Sequence, residues 1–403
     1  MTHIGFIYRS IKDNVKAFKC FKQILSIEPN NFLAFYGLAR IYQSLDNHDK
    51  EAIRLYKRCL TINSESIKAN LQLGILYLKI KQYDESLKCL QTVIKLDPNN
   101  VLGLVALGNV YLEMSYYEDA ENNLNLALKI DKKNIAAYTA LGDVLFSQGK
   151  VTDAIQKYTF VNSINDHIPE VHLNLGHCYF ITEKIDLAIS NYIQAIKIVK
   201  NTRHDYYYFL GNAFVASKRL KDGIVAYQAA IKLKNNKLNY YYAISQACYM
   251  EQLYSKGIKY LEKLFELEKS NTINETNKDY TDEEALFLLY KLYSSLPDVD
   301  YEKCLNIIKS LLRNEPKNIK YLEILAVLQD KSGHTFDAVK TYKQILRIEP
   351  NNSEIKKKIS MLNTNISRKT IELDKKNNKS SSSYDDDDDE DSENSDDDKD
   401  EDK

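Results

Sequence analysis

The sequence predicts an all-α solenoid of stacked helical hairpins, followed by a capping helix and a disordered acidic tail. Three observations carry that expectation. Leu-Gly or Ile-Gly pairs recur at Ile4-Gly5, Leu73-Gly74, Leu107-Gly108, Leu141-Gly142, Leu175-Gly176 and Leu210-Gly211, and the last five glycines lie 34, 34, 34 and 35 residues apart. Leu38-Ala39 fills the gap, 34 residues after Gly5 and 35 before Gly74. Around each pair the apolar residues fall at helical spacing, with short polar stretches between the blocks. Helix breakers are few, with 12 Gly and 6 Pro in 403 residues. A period in this range means copies of one small unit that bury their apolar faces against one another, not one globular core.

Each copy carries more than its glycine. Three residues on stands an aromatic or Leu, as at Tyr8, Tyr42, Tyr77, Tyr111, Leu145, Tyr179 and Phe214. Twelve on stands a compact residue (Ala17, Ser86, Ala120, Ala154, Ala188, Gly223), with Ala52 displaced by one. Sixteen on stands a large one: Phe21, Leu90, Leu124, Tyr158, Tyr192 or Tyr227. The compact residue lets a neighbouring helix approach closely. Polar stretches such as Lys81-Gln82-Tyr83-Asp84 and Ser147-Gln148-Gly149-Lys150 suit a turn between two antiparallel helices. Pro29 and Pro98 stop the second helix or open the next one, and Asn99 and Asn100 are good caps.

Leu-Gly-x-x-Tyr, then Ala-x-x-x-Phe/Tyr, then Pro, on this period resembles the tetratricopeptide repeat family. The resemblance implies a right-handed superhelix and a protein-binding role without catalysis. It extends through less regular copies. Ile244-Ser245 is followed by Gly257 and Leu261. Leu289-Tyr290, Tyr293, Cys304, Ile308 and Pro316 form a degenerate copy with a longer turn near Pro297, and Leu325-Ala326, Ala338, Tyr342, Ile345 and Pro350 form a good one. About ten repeats are expected over residues 1–352, with a polar loop insertion at 268–282 and a slightly short first helix. The family's Trp at the fourth position is replaced by Phe35, Leu104, Tyr138, His172, Tyr207 and Tyr241, since the chain has no Trp.

Over residues 353–376, Ile355, Ile359, Leu362 and Ile366 recur at helical spacing, as a terminal capping helix requires. Residues 377–403 turn to Asn, Lys and Ser and then almost wholly to acid, and are expected to be disordered. Residues 384–403 hold 14 Asp or Glu against two Lys, a local charge of −12. The whole chain carries −1, so residues 1–383 carry +11. Ser382, Ser383 and Ser395 precede acidic residues and are candidate phosphorylation sites for acidophilic kinases.

No phosphate loop, nucleophile motif or paired metal ligands are present, so no catalytic residue, cofactor or metal is expected. His167, His172 and His177 are spaced by five and do not share one helical face. Six scattered cysteines without Cys-x-x-Cys read as reduced core residues. No apolar run reaches the length of a membrane span, and no signal peptide is evident, which points to cytoplasm or nucleus. Nucleic acid is disfavoured, because the tail repels phosphate and no basic aromatic patch occurs. The family's carboxylate clamp for heat-shock chaperone tails needs a fifth-position Lys, and no copy has one. The sixth-position asparagine that lines the groove in another branch of the family is matched only by Asn174.

The resemblance implies that fifth and ninth positions of each first helix face a concave groove. The fifth positions include Tyr36, Leu71, Leu173, Tyr208 and Tyr242. The ninth are Arg40, Ile75, Asn109, Asp143, His177, Asn212 and Gln246. An apolar strip beside hydrogen-bonding groups suits a peptide or amphipathic helix. The triplets Tyr206-Tyr207-Tyr208 and Tyr240-Tyr241-Tyr242 lie one repeat apart, with the middle Tyr of each expected in the core. The expected function is a scaffold or adaptor within a multiprotein complex. The alternative is an acidic-tail carrier for basic proteins.

Overall fold

A computed structural model of the chain describes residues 1–45, 47–270 and 278–381. The acidic run and Ser382, Ser383 and Ser395 lie outside the described residues, as does part of the 268–282 insertion. Among the described residues there are helices and no strands.

Helices pair as hairpins in chain order. They are α1 (Thr2–Ser10) with α2 (Asn14–Ile27), α3 (Phe32–Gln43) with α4 (Asp49–Ile62), α5 (Ile67–Lys79) with α6 (Tyr83–Leu96), and α7 (Val101–Glu113) with α8 (Tyr117–Ile130). There follow α9 (Ile135–Ser147) with α10 (Val151–Ile164), α11 (Pro169–Ile181) with α12 (Ile185–Ile198), and α13 (His204–Ala216) with α14 (Leu220–Leu233). Beyond these come α15 (Leu238–Met250) with α16 (Tyr254–Lys269), α17 (Asp282–Ser294) with α18 (Tyr301–Asn314), α19 (Ile319–Lys331) with α20 (Thr335–Ile348), and a single α21 (Ser353–Ser381). The chain divides into two units, Met1–Asn235 with the first seven hairpins and Asn236–Lys403 with the rest.

The periodic glycines are explained by what lies over them. A Cβ at Gly142 would meet the Tyr158 ring at 2.6 Å, at Gly176 the Tyr192 ring at 2.4 Å, and at Gly211 the Tyr227 ring at 2.5 Å. Leu90 and Leu124 press on Gly74 and Gly108 in the same way, at 2.7 and 2.6 Å. The large residue sixteen positions on therefore lies flat on bare backbone, and the two helices of a hairpin close up around it. The compact position is fully buried as Ala17, Ala52, Ser86, Ala120, Ala154 and Ala188. Ser86 keeps its hydroxyl satisfied by donating to the Gly74 carbonyl at 2.7 Å.

Turns inside the hairpins follow one pattern. Lys81, Ser115, Gly149, Glu183 and Lys218 all take left-handed backbone, with φ from 59° to 77°. The following amide then reaches back five residues, as Gln82 N–H does to the Tyr77 carbonyl at 2.9 Å. This closes the first helix. Gly149 takes that conformation without strain, whereas Lys81 and Glu183 carry a Cβ in it. Several turns between hairpins use one asparagine both as acceptor and as donor. Asn100 accepts from Gly103 N–H at 2.9 Å and donates to the Asp97 carboxylate at 2.9 Å. Asn134 does the same with Ala137 and Asp131. Asn100 is thus the cap, while Asn99 N–H turns back to Asp97.

Within the first unit, α1 and α3, α5 and α7, α7 and α9, and α9 and α11 touch directly. Successive second helices do not pack to that extent. The first helices are therefore the closer-spaced layer of this unit, on its inner side. In the second unit Ile355 and Leu362 of α21 are buried against α19 and α20, with Ile359 and Ile366 beside them. Among the described residues no helix is long and apolar enough to cross a membrane.

Candidate functional site: the inner face of α9, α11 and α13

Three successive hairpins of the first unit repeat one side-chain device. The ring that covers the glycine carries a hydroxyl, and that hydroxyl reaches the residue just after the glycine. Tyr158 donates to Asp143 Oδ1 at 2.6 Å, and Tyr227 donates to Asn212 Oδ1 at 2.6 Å. The Tyr192 hydroxyl pairs with His177 Nδ1 at 2.9 Å. Each tyrosine is at most 2% exposed, so each inner-face polar group is held from below by a rigid core ring. Asn174 adds a link between hairpins, its amide donating to the same Asp143 oxygen at 2.8 Å.

Apolar surface lies between these groups. A cavity of about 420 Å³ is bordered by Phe146, Phe180, Ile181, Phe209, His177 and Asn212. A smaller one of about 100 Å³ adjoins it through Phe146 and His177, and holds Asp143, Ser147, Tyr158 and Asn174. Phe209 meets the His177 ring edge to face at 4.4 Å.

The environment shifts two of these groups in opposite directions. Burial pushes the Asp143 carboxyl up to about 6, against the pull of the Tyr158 and Asn174 hydrogen bonds. Burial brings His177 down to about 4, so it is neutral near pH 7. Folded Asp143 binds a proton that the unfolded chain releases near pH 3.8. Its contribution to stability is full below that pH and is lost as pH rises through about 6. His177 does the reverse: its contribution is present above about 6.5 and is lost as pH falls towards 4. Asn at position 143 would keep an oxygen for both donors and lose the half-buried charge. Asp143→Asn is therefore expected to raise stability at pH 7 by about 1 to 3 kcal/mol. The gain should vanish near pH 4, where the wild-type carboxyl is protonated. Denaturant midpoints at the two pH values check this, and equal midpoints at pH 7 would refute it.

The other groove positions divide. Tyr36, Arg40, Ile75, Asn109, Leu173 and Tyr208 are half-buried. Leu71 departs from the expectation: it is 7% exposed and packs with Leu90, Val93 and Leu107, because its side chain turns into the core between hairpins. In the second unit Tyr242 stacks on Tyr280 at 4.5 Å and accepts from the exposed Gln246 at 3.0 Å. Of the first tyrosine triplet it is Tyr206, not the middle Tyr207, that is fully buried, with the Arg203 guanidinium over its ring at 4.9 Å. Tyr207 is half-buried and packs beside the core. In the second triplet Tyr241 is buried, together with Tyr240. His172 is packed as expected, its ring nitrogens meeting Asn191 Oδ1 at 3.2 Å and the Asp166 carbonyl at 2.8 Å. Among the described residues no group of His, Cys, Asp or Glu could hold a metal.

Sequence reasoning missed the hydroxyl device and the Asn174–Asp143 link. A signal existed for the first. Tyr sixteen residues on from the glycine occurs with Asp143, His177 and Asn212, whereas Leu90 occurs with Ile75.

Comparison with known proteins agrees with this geometry. Tetratricopeptide repeat models match residues 1–31, 34–65, 50–108, 169–201 and 204–237, and a TPR repeat model matches 108–149. No curated protein matches the chain. Among solved structures, the C-terminal part of a TPR repeat-containing protein of Cytophaga hutchinsonii is 17% identical, covering 63% of this chain and 99% of that one at TM-score 0.52. A tetratricopeptide repeat protein of Parabacteroides merdae is 16% identical, covering 61% and 96% at TM-score 0.50. MamA of Desulfovibrio magneticus is 18% identical, covering 43% and 97% at TM-score 0.41. At these identities the likeness is one of fold. Helical hairpins on a 34-residue period, glycines roofed by the residue sixteen positions on, and the matching family models lead to one conclusion: the chain belongs to the tetratricopeptide repeat family.

Proposed function

We propose that this chain is a non-enzymatic scaffold or adaptor that takes a peptide or amphipathic helix along the inner face of its first helices, as a subunit of a multiprotein complex. The observation that carries the reading is the apolar cavity of about 420 Å³ flanked by His177 and Asn212, whose orientations core tyrosines hold. Apolar surface supplies area and the held polar groups supply direction, which is the division of labour in peptide recognition. Tyr208 and Tyr242 add half-buried aromatic area, the chemistry of binding hot spots.

Replacing both tyrosines by alanine should weaken binding of a partner captured from native cells by about 2 to 4 kcal/mol with helicity unchanged. Loss of helicity together with binding would show the pair to be structural instead. The charge split, −12 in residues 384–403 against +11 before them, favours one second reading: a carrier for basic proteins such as histones or ribosomal proteins. A chain lacking residues 377–403 separates the two. Capture that survives the deletion supports the adaptor, and capture that disappears, with steep salt dependence in the full chain, supports the carrier.

A further inference from the structure

Asp143 is a carboxylate in a setting that does not suit one. It lies in the cavity of about 100 Å³ beside Phe146, Tyr158 and His177. Oδ1 accepts two hydrogen bonds, from Tyr158 at 2.6 Å and Asn174 at 2.8 Å. Neither donor is charged, and Asp143 makes no ion pair among the described residues. The other titratable groups it meets give no positive charge near neutral pH. His177 is held down to about 4 by burial, and the Cys178 thiol is pushed up to about 11. Asp143 is half-buried, and a carboxylate drawn out of water without a cation beside it costs stability. Among the described residues no group of three or more His, Cys, Asp or Glu stands there to hold a metal ion. Phe146 and His177 are shared with the neighbouring cavity, which carries the apolar shelf of Phe180, Ile181 and Phe209.

We propose that Asp143 is the specificity determinant of the inner face, and that the segment bound there carries an arginine or lysine whose cationic head pairs with Asp143 while an adjacent apolar side chain of the same segment rests on Phe180, Ile181 and Phe209. This rests on the groove reading above and adds the chemistry of its partner. Oδ2, which the two internal donors leave unused, is the atom that meets the cation. Asn174 and Tyr158 hold the carboxylate from behind, so the approaching group finds it already oriented. Opposite charge brought together in a half-buried site, partly withdrawn from water, strengthens the pairing.

The test is selection of a random-peptide display library on the full chain, then affinity of the selected peptides for wild type and Asp143→Asn by fluorescence polarisation. Asp143→Asn keeps both internal hydrogen bonds, so its fold is retained and circular dichroism verifies this. The expected result is enrichment of Arg or Lys next to Leu, Ile or Phe, with affinity falling on the order of tenfold to a hundredfold in Asp143→Asn. Replacing the basic residue of the peptide by Gln should cost as much, and should cost little more in the variant. Peptides that lose affinity in Phe209→Ala yet contain no basic residue, or bind Asp143→Asn as well as wild type, would overturn the proposal and leave the groove reading standing. Peptides indifferent to both substitutions, or no enrichment at all, would overturn both.

Discussion

Tyr192→Ala is expected to destabilise the first unit by about 3 to 5 kcal/mol, the cost of emptying a fully buried aromatic site. The ring is 1% exposed and lies on Gly176, so neither side can collapse without moving α11 against α12. Its hydroxyl also pairs with His177, whose ring in turn meets Phe209 edge to face. Truncation therefore removes the floor of the inner face along with the core. Tyr192→Phe keeps the ring and is expected to cost only about 1 kcal/mol. Urea denaturation of the three proteins measures both steps. A Tyr192→Ala loss no larger than that of Tyr192→Phe would mean the ring does not hold the hairpin together.

Gly176→Leu attacks the same contact from the other side, and a loss of about 4 kcal/mol or more is expected. A Cβ alone would stand 2.4 Å from the Tyr192 ring, and three further carbons must follow it. Leucine is the better helix former by somewhat under 1 kcal/mol, so propensity predicts the opposite sign and packing decides. Gly149→Ala is the control. There φ is +77° and nothing lies within 4 Å, so the loss should be confined to about 1 kcal/mol of backbone strain. Because each hairpin packs chiefly on its neighbours, the damage from Gly176→Leu should concentrate in α9–α14. Hydrogen exchange would show that as lost protection there, with α1–α4 retaining theirs. Uniform loss across the first unit would contradict such local coupling.

Most of this architecture could be read from the sequence, for a definite reason. Gly142, Gly176 and Gly211 sit where no other residue fits, so sterics hold the period. Ala120, Ala154 and Ala188 are small for a related reason, and their spacing marks the second helix. Legibility fails where the physics does not restrict residue type. Lys81 and Glu183 adopt left-handed backbone without glycine, so their turns show in the sequence only as polar stretches. Leu71 and Leu173 occupy equivalent positions, yet Leu71 is buried and Leu173 half-buried. The difference depends on the neighbouring helix rather than on either leucine. Tyr206 and Tyr207 are chemically identical, and the choice of core ring depends on helix rotation by one residue. At the site, Asp143 and Tyr158 read separately as a polar groove residue and a core aromatic. Their hydrogen bond spans 15 positions along the chain and emerges only when the hairpin closes.

The tyrosine hydroxyls beneath Asp143, His177 and Asn212 also bear on how fast a partner would leave. A surface side chain normally surrenders rotational freedom when a ligand grips it, which offsets part of the attraction. Here that freedom is already surrendered during folding, so docking would forfeit little more of it. The resulting complex should owe its lifetime to slow dissociation rather than to rapid encounter.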